Sequence, residues 1–159
     1  MEQKTLSRWL KGIIIGIGLC GLVVYAAVLP ALADHMLAAY PEYAAAVLPW
    51  KILIWCSGIP CFAVLFFAWQ IVSGIGCDRS FTEENAKSLK WISGLAAGDA
   101  LFFFLGNILL LFLDMNHPGI VLVSFVVVFI GIAVAVASAA LSHLVKKAAA
   151  LQEQSDLTI

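Results

Sequence analysis

The stretch FVVVFIGIAVAVASAAL, residues 125–141, has no charged side chain and decides the fold class. A helix rises about 1.5 Å per residue and the hydrocarbon core of a bilayer is about 30 Å thick, so about 20 apolar residues are enough to cross it. The stretch lies within an apolar run at residues 119–145. Polar and apolar residues do not alternate along it, as they would in a strand of a membrane barrel. We therefore expect a membrane-spanning helix here.

Three earlier runs have the same character. The predicted spans cover about residues 12–33, 52–76, 90–113 and 119–145, and a tail follows at 146–159. Each run is predicted to be a helix because unpaired backbone groups cannot face lipid. The chain is 63% hydrophobic and 12% charged, whereas soluble domains are roughly 45–50% apolar and 25% charged. These patterns predict a single all-α domain, an integral membrane four-helix bundle.

The first run has features of a secretory signal, with a basic start and an A-x-A pattern at residues 31–33. It is longer than the usual apolar region of about 7–15 residues, so an uncleaved helix is favoured. The motif GIGLCG at residues 16–21 matches G-x-G-x-x-G. No strand precedes it, so we expect close helix packing, shared with Gly12, and not a dinucleotide site.

The positive charges are distributed asymmetrically along the chain. Of nine Lys and Arg residues, eight fall before the first span, between the second and third, or after the fourth, and only Lys51 falls on the other side. The positive-inside rule then predicts that both termini are cytoplasmic. The net charge of −1 gives no bias toward nucleic acid.

Asp99 is the one charged residue well inside the third run. A charge within a span costs at least about 2.5–3.5 kcal/mol on insertion scales, so a function must be considered. One interpretation is a structural hydrogen-bond network with Ser138 at similar depth and with Gln70 and His143 nearer the cytoplasmic face. The other is a proton or ion relay. Asn107, in the same run, is predicted to make an interhelical hydrogen bond.

The cysteines and the outer loops give weaker indications of a function. Asp34-His35 and the turn DMNHPG at residues 114–119 could converge on a metal, although such residues are also ordinary in turns; no metal or cofactor is assigned. No H-E-x-x-H motif, nucleophile elbow or P-loop occurs, so an enzyme is not expected. No C-x-x-C spacing occurs either. The four cysteines are predicted to be buried free thiols that act as small hydrophobes: Cys20, Cys56, Cys61 and Cys77.

The segment CDRSFTEENAKSLKW, residues 77–91, concentrates charge between the second and third spans. Thr82 is predicted to be an N-cap, with two glutamates in the first turn. Asn85 would be the third helical residue, and its amide could reach back to the cap. A helix start explains these residues, and a docking site on the cytoplasmic face is the alternative. The tail LVKKAAALQEQSDLTI, residues 144–159, ends in a segment that could occupy a partner's groove or sheet edge, or could be a frayed end.

With its four spans, the chain resembles the Domain of Unknown Function 2975 family of small bacterial membrane proteins. The most specific residues of the resemblance lie in SFTEENAKSLKWI and in the tail: Phe81, Thr82, Asn85, Leu89, Leu151, Asp156, Leu157, Thr158 and Ile159. Members are often encoded beside a short helix-turn-helix regulator. The resemblance therefore implies a bacterial cytoplasmic (inner) membrane location and a regulatory partnership, with those nine residues as candidate partner contacts. It transfers no catalytic residue.

Three functional hypotheses follow. The leading one is a regulatory or interaction protein whose inner loop and tail form one cytoplasmic docking surface. Its partner would be a small soluble protein, such as a helix-turn-helix regulator, and the chain itself would bind no nucleic acid. The alternative is a small transporter or proton-coupled pore that uses Asp99 and could be a homo-oligomer. The third is an envelope metal sensor that uses Asp34, His35, Asp114 and His117.

Overall fold

Long apolar helices make up nearly all of the part of the chain that the structure describes. The structure is a computed structural model, and it describes residues 3–77 and 79–156. A π-helical turn at Val24–Val28 joins the first two helices, and a 3-10 turn at Pro41–Tyr43 follows them. The α-helices are α1 Gln3–Val23, α2 Leu29–Ala39, α3 Ala44–Gly76, α4 Glu83–Phe112 and α5 Pro118–Asp156.

Four helical stretches are long and apolar enough to cross a membrane, at residues 3–39, 41–76, 83–112 and 118–155. The prediction of an all-α membrane protein with four spanning helices is therefore confirmed. The helices are longer than the predicted spans because the charged residues at their ends also favour helix, and a helix can continue beyond the hydrocarbon core. The segment before Pro49 forms the first turns of α3.

The helices pack as an open row in which the extensive contacts join consecutive spans. α4 has its largest contact with α5 and its next largest with α3, whereas α1 packs against α3. Small residues permit the close approach of α4 and α5. A Cβ on Gly131 would lie 3.1 Å from the Cβ of Ala100. Among the described residues α1 and α5 share no such interface, so α3 and α4 form the centre of the row.

Two hydrogen bonds define one end of this row. The Ser7 hydroxyl of α1 donates to the Val72 carbonyl of α3 at 2.9 Å, and the Ser142 hydroxyl of α5 donates to the Ala86 carbonyl of α4 at 2.7 Å. We call this the termini end because the first residues of α1 and the last turns of α5 lie there. The opposite end, which carries the α2–α3 connection and the α4–α5 turn, is the far end.

The glycine motif packs differently from the prediction. A Cβ placed on Gly12 or Gly16 would meet nothing within 4 Å, so neither glycine lies in a helix interface of the described chain. Contact with α3 occurs instead at Gly21, where a Cβ would lie 3.4 Å from the ring of Phe62. The predicted Gly12–Gly16 packing face is therefore wrong. The contact face of α1 lies further along the helix, beside the aromatic side chains of α3.

The prediction of buried thiols is also wrong. All four cysteines are free and exposed on the surfaces of the helices. Three of them, Cys20, Cys56 and Cys61, lie in membrane-spanning stretches. An exposed position there faces lipid or a shallow groove, where a thiol is accommodated as a small hydrophobe without burial in protein.

Candidate functional site

A polar cluster surrounds Asp99 between α3 and α4. The Cys61 thiol donates to Oδ2 of Asp99 with a sulfur–oxygen distance of 3.6 Å. The second carboxylate oxygen, Oδ1, is buried and has no hydrogen-bond partner among the described residues. Ser57, one turn before Cys61 on α3, is 8% exposed and lies near the carboxylate. Asp99 therefore accepts a hydrogen bond from Cys61 at Oδ2 and interacts with Ser57, and its Oδ1 atom remains an acceptor for a proton or a small cation.

Tyr25 brings a third helical segment to this cluster. It lies in the π-helical turn Val24–Val28 beside Cys61 and Ser57, the residues of α3 that interact with Asp99. Its ring packs on Gly58, where a Cβ would lie 2.9 Å from the ring. The π turn ends two residues before Pro30, which has no N–H for the backbone hydrogen bond of a regular helix. The absence of a side chain at Gly58 lets the tyrosine ring lie against α3 beside Cys61 and Ser57.

A shallow groove of about 260 Å³ opens beside the carboxylate and is lined by Asp99, Pro60, Cys56 and Gly98, among others. Pro60 lies inside α3 and has no N–H to donate to the carbonyl of Cys56. A Cβ on Gly98 would meet nothing within 4 Å, so no other side chain covers the groove at this position. The groove therefore places the Asp99 carboxylate beside the point where Pro60 removes one backbone hydrogen bond of α3. A carboxylate can bind a proton or a hard cation.

The partners of Asp99 differ from those predicted. Ser138 is partly buried on α5, and His143 is exposed there. Gln70 accepts a hydrogen bond from Ser88 at 3.4 Å, nearer the termini end. The network expected from depth along the chain does not form because α5 lies on the other face of α4. Tyr25 and Ser57 were missed, since uncharged residues in an apolar run give no sign of which helix face they occupy.

A second polar contact lies near the far end of α4. Asn107 is fully buried at 0% exposure. Its Nδ2 donates to the Phe103 carbonyl of its own helix at 2.8 Å, and its Oδ1 accepts from Asn116 Nδ2 at 3.2 Å. Asn116 belongs to the α4–α5 turn and also donates to the Asn107 carbonyl. The predicted bond to another spanning helix is wrong: Asn107 holds the turn against the end of α4.

The loop between α3 and α4 begins α4 as predicted. The Thr82 hydroxyl accepts from the Asn85 N–H at 3.2 Å, which makes Thr82 the N-cap. The Asn85 side chain reaches further back than predicted and donates to the carbonyls of Arg79 and Ser80 at 2.9 and 3.0 Å. Asn85 thereby fixes the loop against Gly74 of α3, where a Cβ would lie 3.1 Å from its amide.

Burial narrows the predicted partner surface. Asn85 is 6% exposed and Leu89 is 7% exposed, and Leu89 packs with Ala86 and Val145 in the core at the termini end. Both side chains are buried in internal contacts, so neither is available to contact a partner. Phe81 and Leu151 are 55% and 66% exposed. The remaining predicted contacts, Leu157, Thr158, Ile159 and the side chain of Asp156, lie outside the described residues.

The predicted metal residues at the far end do not come together. The Asp34 carboxylate lies 3.9 Å from the Lys51 ammonium, and the Nδ1 atom of His117 accepts from the Gly119 N–H. No group of three or more His, Cys, Asp or Glu side chains close enough to hold a metal occurs among the residues that the structure describes. Asp114 adopts a left-handed backbone conformation with φ of 54°, which is typical of a turn residue.

Comparison with known proteins agrees with this architecture. The family described as "Protein of unknown function (DUF2975)" matches residues 31–159. The chain is 26% identical over 160 residues to "Uncharacterized membrane protein YoaS" of Bacillus subtilis (strain 168), and the alignment covers 99% of each chain. No solved structure matches. Because the family match includes most of the chain, with both the segment at residues 80–92 and the tail, this membrane protein belongs to the Domain of Unknown Function 2975 family.

Proposed function

We propose that this protein is a membrane-anchored regulatory or interaction protein that holds a small soluble partner at its termini end. The observation that carries the proposal is the length of α5. Its 39 residues correspond to about 58 Å of helix at about 1.5 Å per residue, against about 30 Å of hydrocarbon. The last turns of α5 therefore extend beyond the membrane as a continuous helix.

The loop that carries Phe81 lies beside this extension. Ser142 and Val145 contact Ala86 near the start of α4. Because α4 and α5 run in opposite directions, the next two turns of α5 are level with the loop before α4. Phe81 and Leu151 then present exposed apolar side chains on the same side of the membrane. Such side chains are typical anchors for a partner, since they gain free energy when burial removes them from water.

Charge supports a cytoplasmic position for this surface. Eight of the nine Lys and Arg residues belong to segments at the termini end, which favours the cytoplasm under the positive-inside rule. The family resemblance adds the kind of partner, a small helix-turn-helix regulator. The membrane protein would hold the regulator away from DNA and bind no nucleic acid itself. The location in this proposal is the bacterial cytoplasmic membrane, with both termini inside.

Site-specific photocrosslinking tests the proposal. A photoreactive amino acid at Phe81 or at Leu151 should capture the same soluble protein in living cells, and removal of residues 151–159 should abolish capture at Phe81. Phe112 is the matched control, since it is an aromatic side chain of 82% exposure at the end of α4. The proposal would be contradicted if the probe at Phe112 captured the same protein. It would also be contradicted if capture at Phe81 were unchanged after the truncation.

The Asp99 cluster supports a second candidate, a small transporter or proton-coupled pore. Its support is the buried, unpaired Oδ1 atom of Asp99, which lies beside hydroxyl and thiol groups in a chain region with few other charges. We expect Asp99→Asn to abolish proton or sodium flux in proteoliposomes, because the amide cannot release a proton or balance a cation. Asn107→Gln is the matched control for a polar change in the same helix. Absence of flux in the unaltered protein would exclude this candidate.

A further inference from the structure

A large cleft at the far end is separate from both sites described above. It has a volume of about 800 Å³, within the range of about 300–1,000 Å³ that is usual for ligand sites. One wall is α2, the opposite wall is the start of α5, and the floor is the start of α3. Its lining is mostly apolar and aromatic, and includes Trp50 and Trp55. A hydrocarbon chain fits such a lining.

The cleft exists because α2 and α5 do not pack against each other at this end, among the described residues. The Trp50 Nε1–H donates to the Met115 carbonyl at 3.1 Å, which ties α3 to the α4–α5 turn. α2 packs only against α3 and its neighbouring turns and has no comparable contact with α5 among the described residues. The space between α2 and α5 is therefore left open by the packing of the row and needs no movement to receive a ligand.

One buried polar atom in the lining has no partner in the described chain. Asn116 lines the cleft and is 7% exposed, and its Nδ2 atom donates two hydrogen bonds to Asn107. Its acceptor, Oδ1, is buried and unpaired. A buried acceptor without a donor costs about 1–3 kcal/mol. A ligand with an N–H or O–H group would remove that cost.

The charged residues of the lining indicate the kind of head group. Lys51 supplies a cation and Glu42 an anion. The Nδ1 atom of His117 accepts from Gly119 at 3.1 Å, so in the neutral ring the proton is on Nε2, which can donate. Phosphate would interact with Lys51 and His117, and an ammonium group with Glu42 and Asn116. A purely anionic head group is opposed by Glu42 and by Asp34, whose carboxylate lies 3.9 Å from Lys51.

We propose that this cleft binds one zwitterionic phospholipid with a primary ammonium head group, of the phosphatidylethanolamine class. An acyl chain occupies the apolar space between α2 and α5. The head group lies at the rim, with its phosphate near Lys51 and its ammonium near Glu42. A choline head group has no N–H donor for the Asn116 acceptor, and a glycerol head group lacks the positive charge that Glu42 attracts.

The two cleft tryptophans provide a direct assay. A variant with Trp9, Trp69 and Trp91 changed to Phe keeps only Trp50 and Trp55, and is reconstituted in phosphatidylcholine vesicles. Phospholipids with brominated acyl chains, which quench nearby tryptophan, are then added with an ethanolamine, choline or glycerol head group. A second variant that keeps only Trp91, which is 61% exposed on α4, reports the bulk bilayer.

We expect brominated phosphatidylethanolamine to quench the cleft tryptophans half-maximally at a mole fraction about tenfold lower than it quenches Trp91. This ratio corresponds to about 1.4 kcal/mol of selective binding. Glu42→Gln should reduce the tenfold preference to about threefold or less. Equal quenching of both reporters by all three lipids would overturn the proposal, as would a preference for the choline or glycerol lipid.

A steric variant separates occupancy of the cleft from head-group attraction. Ile120→Phe adds volume in the lining and should abolish the saturable quenching, whereas Ala133→Phe on an exposed part of α5 should leave it unchanged. Far-ultraviolet circular dichroism of both variants checks that the helices are intact. Saturable quenching that persists in a folded Ile120→Phe variant would also overturn the proposal.

Discussion

The two ends of the helical row differ in how their helices and turns are held together. At the termini end, the side chains of Ser7, Thr82, Asn85 and Ser142 all make hydrogen bonds to backbone groups, within the start of α4 or between helices. At the far end, a pair of asparagines holds one turn, and a cleft of about 800 Å³ separates α2 from α5. The termini end is closed and internally satisfied, whereas the far end is open and retains an unpaired acceptor within the described chain.

This difference teaches where each kind of binding can occur. A closed end offers only its outer surface, so a partner there must recognise exposed side chains such as Phe81 and Leu151. An open end offers an interior, so it can receive a ligand between helices. The Asp99 cluster lies between the two ends, where Pro60 interrupts the backbone hydrogen bonding of α3.

The largest expected effect is a steric change at the far end. A Cβ on Gly106 of α4 would overlap the Leu53 side chain of α3. We expect Gly106→Ala to lower the free energy of unfolding by about 1–3 kcal/mol, since overpacked helix contacts cost this much. Gly94→Ala is the matched control, because a Cβ there meets nothing within 4 Å. Equilibrium unfolding in mixed micelles measures both, and equal stabilities would show that the α3–α4 contact is not tight.

Loss of the asparagine pair should have a similar or slightly smaller effect. Asn116→Leu leaves the buried Oδ1 of Asn107 without its donor, and we expect a loss of about 1–2 kcal/mol. The double change of Asn107 and Asn116 to Leu should cost less than the sum of the single changes, since it removes both partners. Additive losses in the same unfolding assay would mean that the two amides are not coupled.

A change to the cap at the termini end should have a smaller and more local effect. Thr82→Ala removes the acceptor for the Asn85 N–H and should cost about 1 kcal/mol. Thr82→Ser keeps the hydroxyl and should be close to the unaltered protein. Hydrogen exchange should become faster in the first turn of α4 and remain unchanged in the α4–α5 turn. Faster exchange at both ends would show that the ends are not independent.

The smallest expected effect concerns a surface ion pair at the termini end. The Lys87 ammonium lies 3.8 Å from the Glu83 carboxylate, and both side chains are mostly exposed. Pairs of this kind are screened by water and salt, so Glu83→Gln should change the free energy of unfolding by no more than about 0.5 kcal/mol. A loss comparable to that of Thr82→Ala would mean that Glu83 has a further contact at this end.

Local features were predicted well where backbone chemistry alone determines them. The number of spanning helices follows from apolar runs and the need to pair every backbone group in lipid. The Thr82 cap follows from the free N–H groups of a helix start, which require a nearby acceptor. Neither prediction required knowledge of which helices are neighbours.

Predictions that depended on helix faces failed for a physical reason. In a soluble helix the apolar face marks the interior, but in lipid every face is apolar, so periodicity does not identify the contact side. Gly12 and Gly16 were therefore expected to pack although they face open space. Depth along the chain suggested Ser138 as a partner of Asp99, although the residues that interact with its carboxylate, Ser57 and Cys61, lie on α3.

The sequence by itself determined that this chain is an all-α membrane protein with four spanning helices, and that α4 begins at a threonine cap. These properties depend on hydropathy, length and local hydrogen bonding. Only the tertiary structure decided that Ser57 and Cys61 interact with Asp99 and that Tyr25 lies beside them. It also decided that Asn116 donates a hydrogen bond to Asn107 and that α2 and α5 enclose a cleft. Those properties depend on side-chain shape and on which helices become neighbours.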